Sequence, residues 1–221
     1  MESKRSKARA FAAVVLTAFG AGAAMLSMLV IWSGQPSGEP FEGDVLRWYR
    51  HHAGTVRFGD VLWIAGMAAL IAGAALVAPW LRRLAARWYA AGMAVCAGLM
   101  ILSALIAFQL AGHAHAGTVS AADALRQWHL ETSLFSASAF LVCVPVVAAA
   151  IGLDHERRFG SLMTTLGVIA AGSVAAPVAP WSFFAMLAWI VAMTAFAVHS
   201  PRQVEALEPG VVLAAPVPAA A

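Results

Sequence analysis

Long uncharged apolar runs, separated by short polar segments, organise most of this chain. The first covers residues 10–32; others cover 61–81, 88–111 and 132–153. Each is close to the roughly 20 residues a helix needs to cross a hydrocarbon core about 30 Å thick. A further uncharged stretch, 159–200, is too long for one crossing, and Pro177 and Pro180 each remove a backbone donor within it. It predicts two more spans, about 159–178 and 182–198. The pattern is that of an all-α polytopic transmembrane bundle with six spans. Residues 1–9 read as a basic cytoplasmic start. Residues 201–221, rich in Pro and Ala without periodicity, read as a disordered tail.

Composition points the same way. Hydrophobic residues make up 62% of the 221, charged residues 11%, and mean hydropathy is +0.79. Soluble domains carry about 25% charged residues, so this chain has too little polar surface to cover a water-soluble globule. The basic start followed by an apolar core resembles a signal peptide. The core is too long for one, however, and no small-x-small site follows promptly, so a retained first span is expected.

The net charge of +3 comes from clusters beside the apolar runs rather than from a basic patch, which argues against a nucleic-acid partner. With the N-terminus inside, the inner segments hold Lys4, Arg5, Lys7, Arg9, Arg82, Arg83, Arg87, Arg157, Arg158 and Arg202. The outer segments hold Arg47, Arg50, Arg57 and Arg126. Ten against four follows the positive-inside rule, and both termini are expected in the cytoplasm. The expected location is the cell membrane and the expected partner is the lipid bilayer. No feature of the sequence sets an oligomeric state.

Two similar polar-aromatic segments then fall on the outer side: "DVLRWYRHH" from Asp44 and "DALRQWHLE" from Asp123. Each predicts a short helix. In the first, Phe41, Val45, Trp48 and His52 form a stripe suited to lying in the membrane interface. In the second, Ser120 is placed to cap the N-terminus, and the helix is expected to run into the fourth span. Asp and Arg three apart in both segments suit local ion pairs. Small residues four apart (Ala65, Ala69, Gly73, and again Gly167, Ala171, Ala175) suit close helix approach. Pro145 should kink the fourth span and free a carbonyl.

Candidate chemistry sits beside these segments. Asp60 and Glu131 each stand at the outer mouth of a returning span, and acids near membrane depth are costly enough to invite a functional reading. Arg57 is placed to pair with Asp60, and Gln127 to bond Glu131. Trp48, Tyr49, Trp63, Trp128 and Phe135 share that side. An interfacial aromatic belt accounts for such residues; a cup of aromatic faces for a cation or a lipophilic ring is the alternative. In that cup Asp60 or Glu131 would act as the acid and the rings would bind substrate.

Other chemistries find less footing. The outer histidines (His51, His52, His113, His115 and His129) complete no known metal spacing, so neither a metal nor a cofactor is expected. Cys96 and Cys143 lie in apolar runs without a CxxC pair. P-loop, GxSxG, HExxH and strand-linked GxGxxG motifs are absent from the sequence.

The segments "VLRWYRHHAGTVRFGDVLWIAG", "LRQWHLETSLFSASAFLV" and "RRFGSLMTTLGVIAAG" resemble those preceding the second, fourth and fifth spans in a family of uncharacterised six-helix bacterial integral membrane proteins. The resemblance covers about residues 10–198 and implies the six-span fold without assigning catalytic residues. A looser analogy, in size and in the possible acids Asp60 and Glu131, is to membrane-integral terpene cyclases. It implies proton-initiated cyclisation of a prenyl chain. The sequence thus leaves three expectations: a pocket for a lipophilic small molecule or lipid, a cyclase of prenylated compounds, and a non-enzymatic membrane scaffold.

Overall fold

A computed structural model describes residues 2–32, 35, 40–81, 83–153 and 181–199. The predicted fifth span, the tail and the Gly167/Ala171/Ala175 stripe lie outside them. The described residues are helical apart from short connections: α1 (Glu2–Trp32), α2 (Glu42–Val77), a 3-10 turn (Ala78–Trp80), α3 (Arg83–Ala116), α4 (Ala121–Leu141), α5 (Cys143–Leu153) and α6 (Trp181–His199). Four stretches are long and apolar enough to cross a membrane: Ser6–Ile31, Glu42–Trp80, Arg83–Ala116 and Ala121–Ala149. The bundle is also apolar outside. Phe11, Phe19, Leu29, Val61, Leu102, Phe140 and Ile151 are all exposed, a continuous cladding that suits lipid rather than water.

The interior follows one spacing. On α2 the buried positions include the run Val45, Tyr49, Ala53, Val56, Asp60, Trp63, Met67, Leu70, Ala74, Val77, three or four apart, flanked by Trp48, Gly59, Gly66, Ala69 and Gly73. On α3 they run Tyr89, Met93, Cys96, Met100, Ser103, Ala107, Leu110, Ala114. An average of 3.5 keeps one narrow stripe facing its neighbours over many turns. Helices α1, α3 and α4 all pack on α2, and α6 packs on α1.

Between α1 and α2 the seam is made by glycines. A Cβ on Gly66 would lie 2.8 Å from the Gly20 carbonyl oxygen, and one on Gly20 would lie 2.7 Å from that of Gly66. Gly59 and Gly73, seven residues to either side, likewise leave no room for a Cβ against Ile31 and Thr17. Of the anticipated Ala65/Ala69/Gly73 stripe, Gly73 lies in this seam and Ala69 is buried, but Ala65 is exposed; the close approach follows the seven-residue glycine period.

Two further expectations change. The first polar segment is not a separate interfacial helix. It is the N-terminal part of α2, a single helix of 36 residues and about 54 Å at 1.5 Å per residue. No proline interrupts residues 42–78, and Ala53 and Val56 are buried at the join. Within the stripe, Val45 and Trp48 turn inward, while Phe41 is 82% exposed. The second segment does run into the apolar part of α4, as anticipated. Ser120 Oγ accepts from the Asp123 N–H at 3.1 Å, and Arg126 pairs with Asp123 at 3.7 Å. Where a kink was expected at Pro145, the helix is interrupted at Val142, between α4 and α5. Pro145 cannot donate to Leu141, four residues back, and its ring packs against Gly92 of α3.

Candidate functional site

Buried side chains form two clusters. The larger runs from Ala13 and Met28 through Met67, Met93, Met100 and Val146 to Leu187 and Met193. The smaller joins Val45, Trp48, Tyr49 and Val56 of α2 to Leu110 and Ala114 of α3 and to Ala124 and Trp128 of α4. The two look-alike segments are thus packed together in one aromatic cluster, with the C-terminal end of α3 between them. Arg50 Nε donates to the Ala114 carbonyl at 3.4 Å and so helps close that helix end.

A cavity of about 260 Å³ opens where the clusters meet. Its walls are Ser27, Met28 and Ile31 of α1; Gln35 of the following connection; Asp60 and Trp63 of α2; Ser103 and Ala104 of α3; and Glu131, Thr132, Phe135 and Ser136 of α4. Both candidate acids therefore face one space, though 71 positions separate them in the chain. The Trp63 and Phe135 rings meet there with centroids 6.0 Å apart and planes tilted by 42°.

The two acids are held differently. Glu131 Oε2 accepts from the Tyr49 hydroxyl at 2.6 Å, and its backbone carbonyl accepts from Ser103 Oγ at 3.1 Å. Gln127, the neighbour anticipated as partner, is replaced in that role by a residue of the other segment. Asp60 is 2% exposed, and its Oδ2 has no hydrogen-bond partner among the described residues. Ser27 Oγ donates to the adjoining Gly59 carbonyl at 2.7 Å, which ties the peptide beside Asp60 to α1. Arg57 does not reach Asp60. Its guanidinium lies over the Phe108 ring, 4.4 Å from the centroid, a favourable cation–π placement.

Of the seven anticipated site residues, Asp60, Glu131, Trp63 and Phe135 line the cavity, and Tyr49 reaches it through Glu131. Trp48 and Trp128 do not line it. They fill the aromatic cluster, each 8% exposed, and each indole N–H is buried without a partner among the described residues. Among the described residues, no group of three or more His, Cys, Asp and Glu side chains is placed to hold a metal ion.

Gln35 and the hydroxyl-bearing wall of Ser27, Ser103, Thr132 and Ser136 went unread in the sequence. A signal for part of it was present. Asp60 and Ser103 occupy positions in the alternating three-and-four stripes of α2 and α3. Glu131 and Phe135 continue the corresponding spacing of Ala124, Trp128, Ser138 and Val142. A polar residue at a stripe position is a buried polar residue, and buried polar groups demand partners. Comparison with protein-family models, with curated proteins and with solved structures finds no match to this chain, so the site is read from its own geometry.

Proposed function

We propose that this protein resides in the cell membrane as a six-span bundle with both termini cytoplasmic, and holds a small lipophilic molecule or lipid in the cavity between α1 and α4. The observation that carries the reading is one space lined both by Met28, Ile31, Trp63 and Phe135 and by two acids. Such a mixture, mostly apolar with a few convergent polar groups, is the usual make-up of a small-molecule site. The test is organic extraction and mass spectrometry of the purified protein beside a Phe135→Trp variant that narrows the cavity. A compound retained by the parent and lost from the variant is expected; equal retention would dismiss the cavity as its seat. A reporter fused after Gly117 should read as extracytoplasmic, and a cytoplasmic result would reverse the orientation.

The same cavity supports a second reading, proton-initiated cyclisation of a prenyl chain. Asp60 would donate the proton, since its Oδ2 is unpartnered while Glu131 is engaged by Tyr49. Trp63 and Phe135 would then face the developing cation. Product formation from prenylated substrates that survives both Asp60→Asn and Glu131→Gln would remove these carboxyls from such a mechanism.

A further inference from the structure

The hydroxyl groups around the cavity have already committed their protons. Ser27 donates to the Gly59 carbonyl, Ser103 to that of Glu131, and Ser136 to that of Thr132. Thr132 shares its proton between the Trp128 and His129 carbonyls. A hydroxyl carries one donor and two acceptor lone pairs, so these four side chains offer the cavity acceptors only. The Tyr49 proton is likewise committed, to Glu131. Gln35 adds an amide, which both donates and accepts.

When ionised, the acids add to that surplus. Asp60 is almost wholly buried with an oxygen that has no partner among the described residues, and three arginines of the same side are engaged elsewhere. Arg57 lies on Phe108, Arg50 bonds the end of α3, and Arg126 pairs with Asp123. A ligand bringing a carboxylate, phosphate or carbonyl would meet acceptors with acceptors. One bringing several N–H donors and a positive charge would satisfy them with charge-assisted bonds, while the tilted Trp63 and Phe135 rings offer faces for the adjoining carbons.

We propose that the cavity binds an organic ammonium ion with at least two N–H donors and a compact apolar body, with Asp60 and Glu131 as its anionic partners. This rests on the reading of the cavity as a small-molecule site and specifies what that molecule carries. Donor number sets the preference: a primary ammonium has three N–H groups, a neutral alcohol has one O–H, and a quaternary ammonium has none.

The test is calorimetric titration of the full-length protein in lipid nanodiscs with four probes that share a cyclohexyl body: cyclohexylammonium, cyclohexanol, cyclohexanecarboxylate and cyclohexyltrimethylammonium. Cyclohexylammonium should bind at least tenfold more tightly than each of the others. Asp60→Asn should weaken it at least tenfold and leave cyclohexanol unchanged, and Glu131→Gln provides the same reading should the first variant fail to fold. The ranking of probes on the unaltered protein needs no variant at all. Cyclohexanol binding as tightly as cyclohexylammonium would overturn the ammonium assignment while keeping a lipophilic pocket. A quaternary ion binding equally well would overturn the role of the N–H donors. Binding of none of the four would remove the small-molecule reading along with this one.

Discussion

The two buried clusters share α2 and α3 and their three-and-four spacing, yet they fill it with different side chains. The larger relies on glycine and alanine where helices touch and on methionine to fill the remaining space. Methionine is flexible and adapts to irregular gaps. In the smaller, five alanines accompany Val45, Val56, Leu110 and three rings, Trp48, Tyr49 and Trp128, which are bulky, less adaptable and tipped with polar groups. The cavity opens where one style of packing gives way to the other. A single helical register can therefore carry a tight apolar bundle and a recess lined with acids, because the spacing decides which residues face inward while their size and polarity decide what the interior becomes.

Substitutions can press on either side of this contrast. The largest effect is expected in the glycine seam: Gly66→Leu drives a side chain into the Gly20 carbonyl and should cost about 3 kcal/mol, as overpacking does. Gly22→Ala, at a position with nothing within 4 Å of an added Cβ, is the control and should not destabilise. Denaturant unfolding in micelles, followed by circular dichroism, reads both; equal stability of Gly66→Leu and the parent would deny the close approach.

Next comes the bridge at the aromatic side. Tyr49→Phe removes the donor to Glu131 and should cost about 1–2 kcal/mol, the range for a hydrogen bond whose loss leaves a buried partner unsatisfied. A double-mutant cycle with Glu131→Leu, which removes the acceptor, isolates the pair, and additive losses would show no coupling. Ser120→Ala should cost about 1 kcal/mol through the lost N-cap of α4, visible as earlier loss of helical signal; an unchanged midpoint would place the stability of that helix in packing alone. The smallest effect belongs to Arg126→Ala. Its ion pair with Asp123 is exposed, so about 0.3 kcal/mol is expected, and a shift above about 1 kcal/mol would reveal a structural role for Arg126.

Much of the architecture was legible because apolar length is a strong signal. The runs from residues 10, 61, 88 and 132 all lie in helices, and the Pro145 break lies within three residues of its cause. Less legible was the partnership of the two polar segments. Their shared Asp and Arg suggested matching ion pairs, but only Asp123–Arg126 forms among the described residues. What joins the segments is a pair that does not align between them, Tyr49 and Glu131. Local spacing carries no information about a contact 82 positions apart. Arg57 misled for a related reason: three-residue spacing allowed a pair with Asp60, and a ring on α3 offered a better seat. The burial of Asp60 could have been read, since it stands in an otherwise apolar stripe.

The uninterrupted length of α2 also makes it a lever. Its closest approach to the backbone of α1 is at Gly66, and with that contact as fulcrum Asp60 lies about 9 Å and Tyr49 about 26 Å along the axis. A tilt of about 5° there displaces Asp60 by less than about 1 Å but swings Tyr49 through about 2 Å, given the helical rise. The bond from Tyr49 to Glu131, now 2.6 Å, would not survive such an excursion, whereas the carboxyl of Asp60 would scarcely leave its place. The two acids of one cavity thus stand at unequal mechanical advantage, one anchored near the pivot and the other gripped by the far end of the arm.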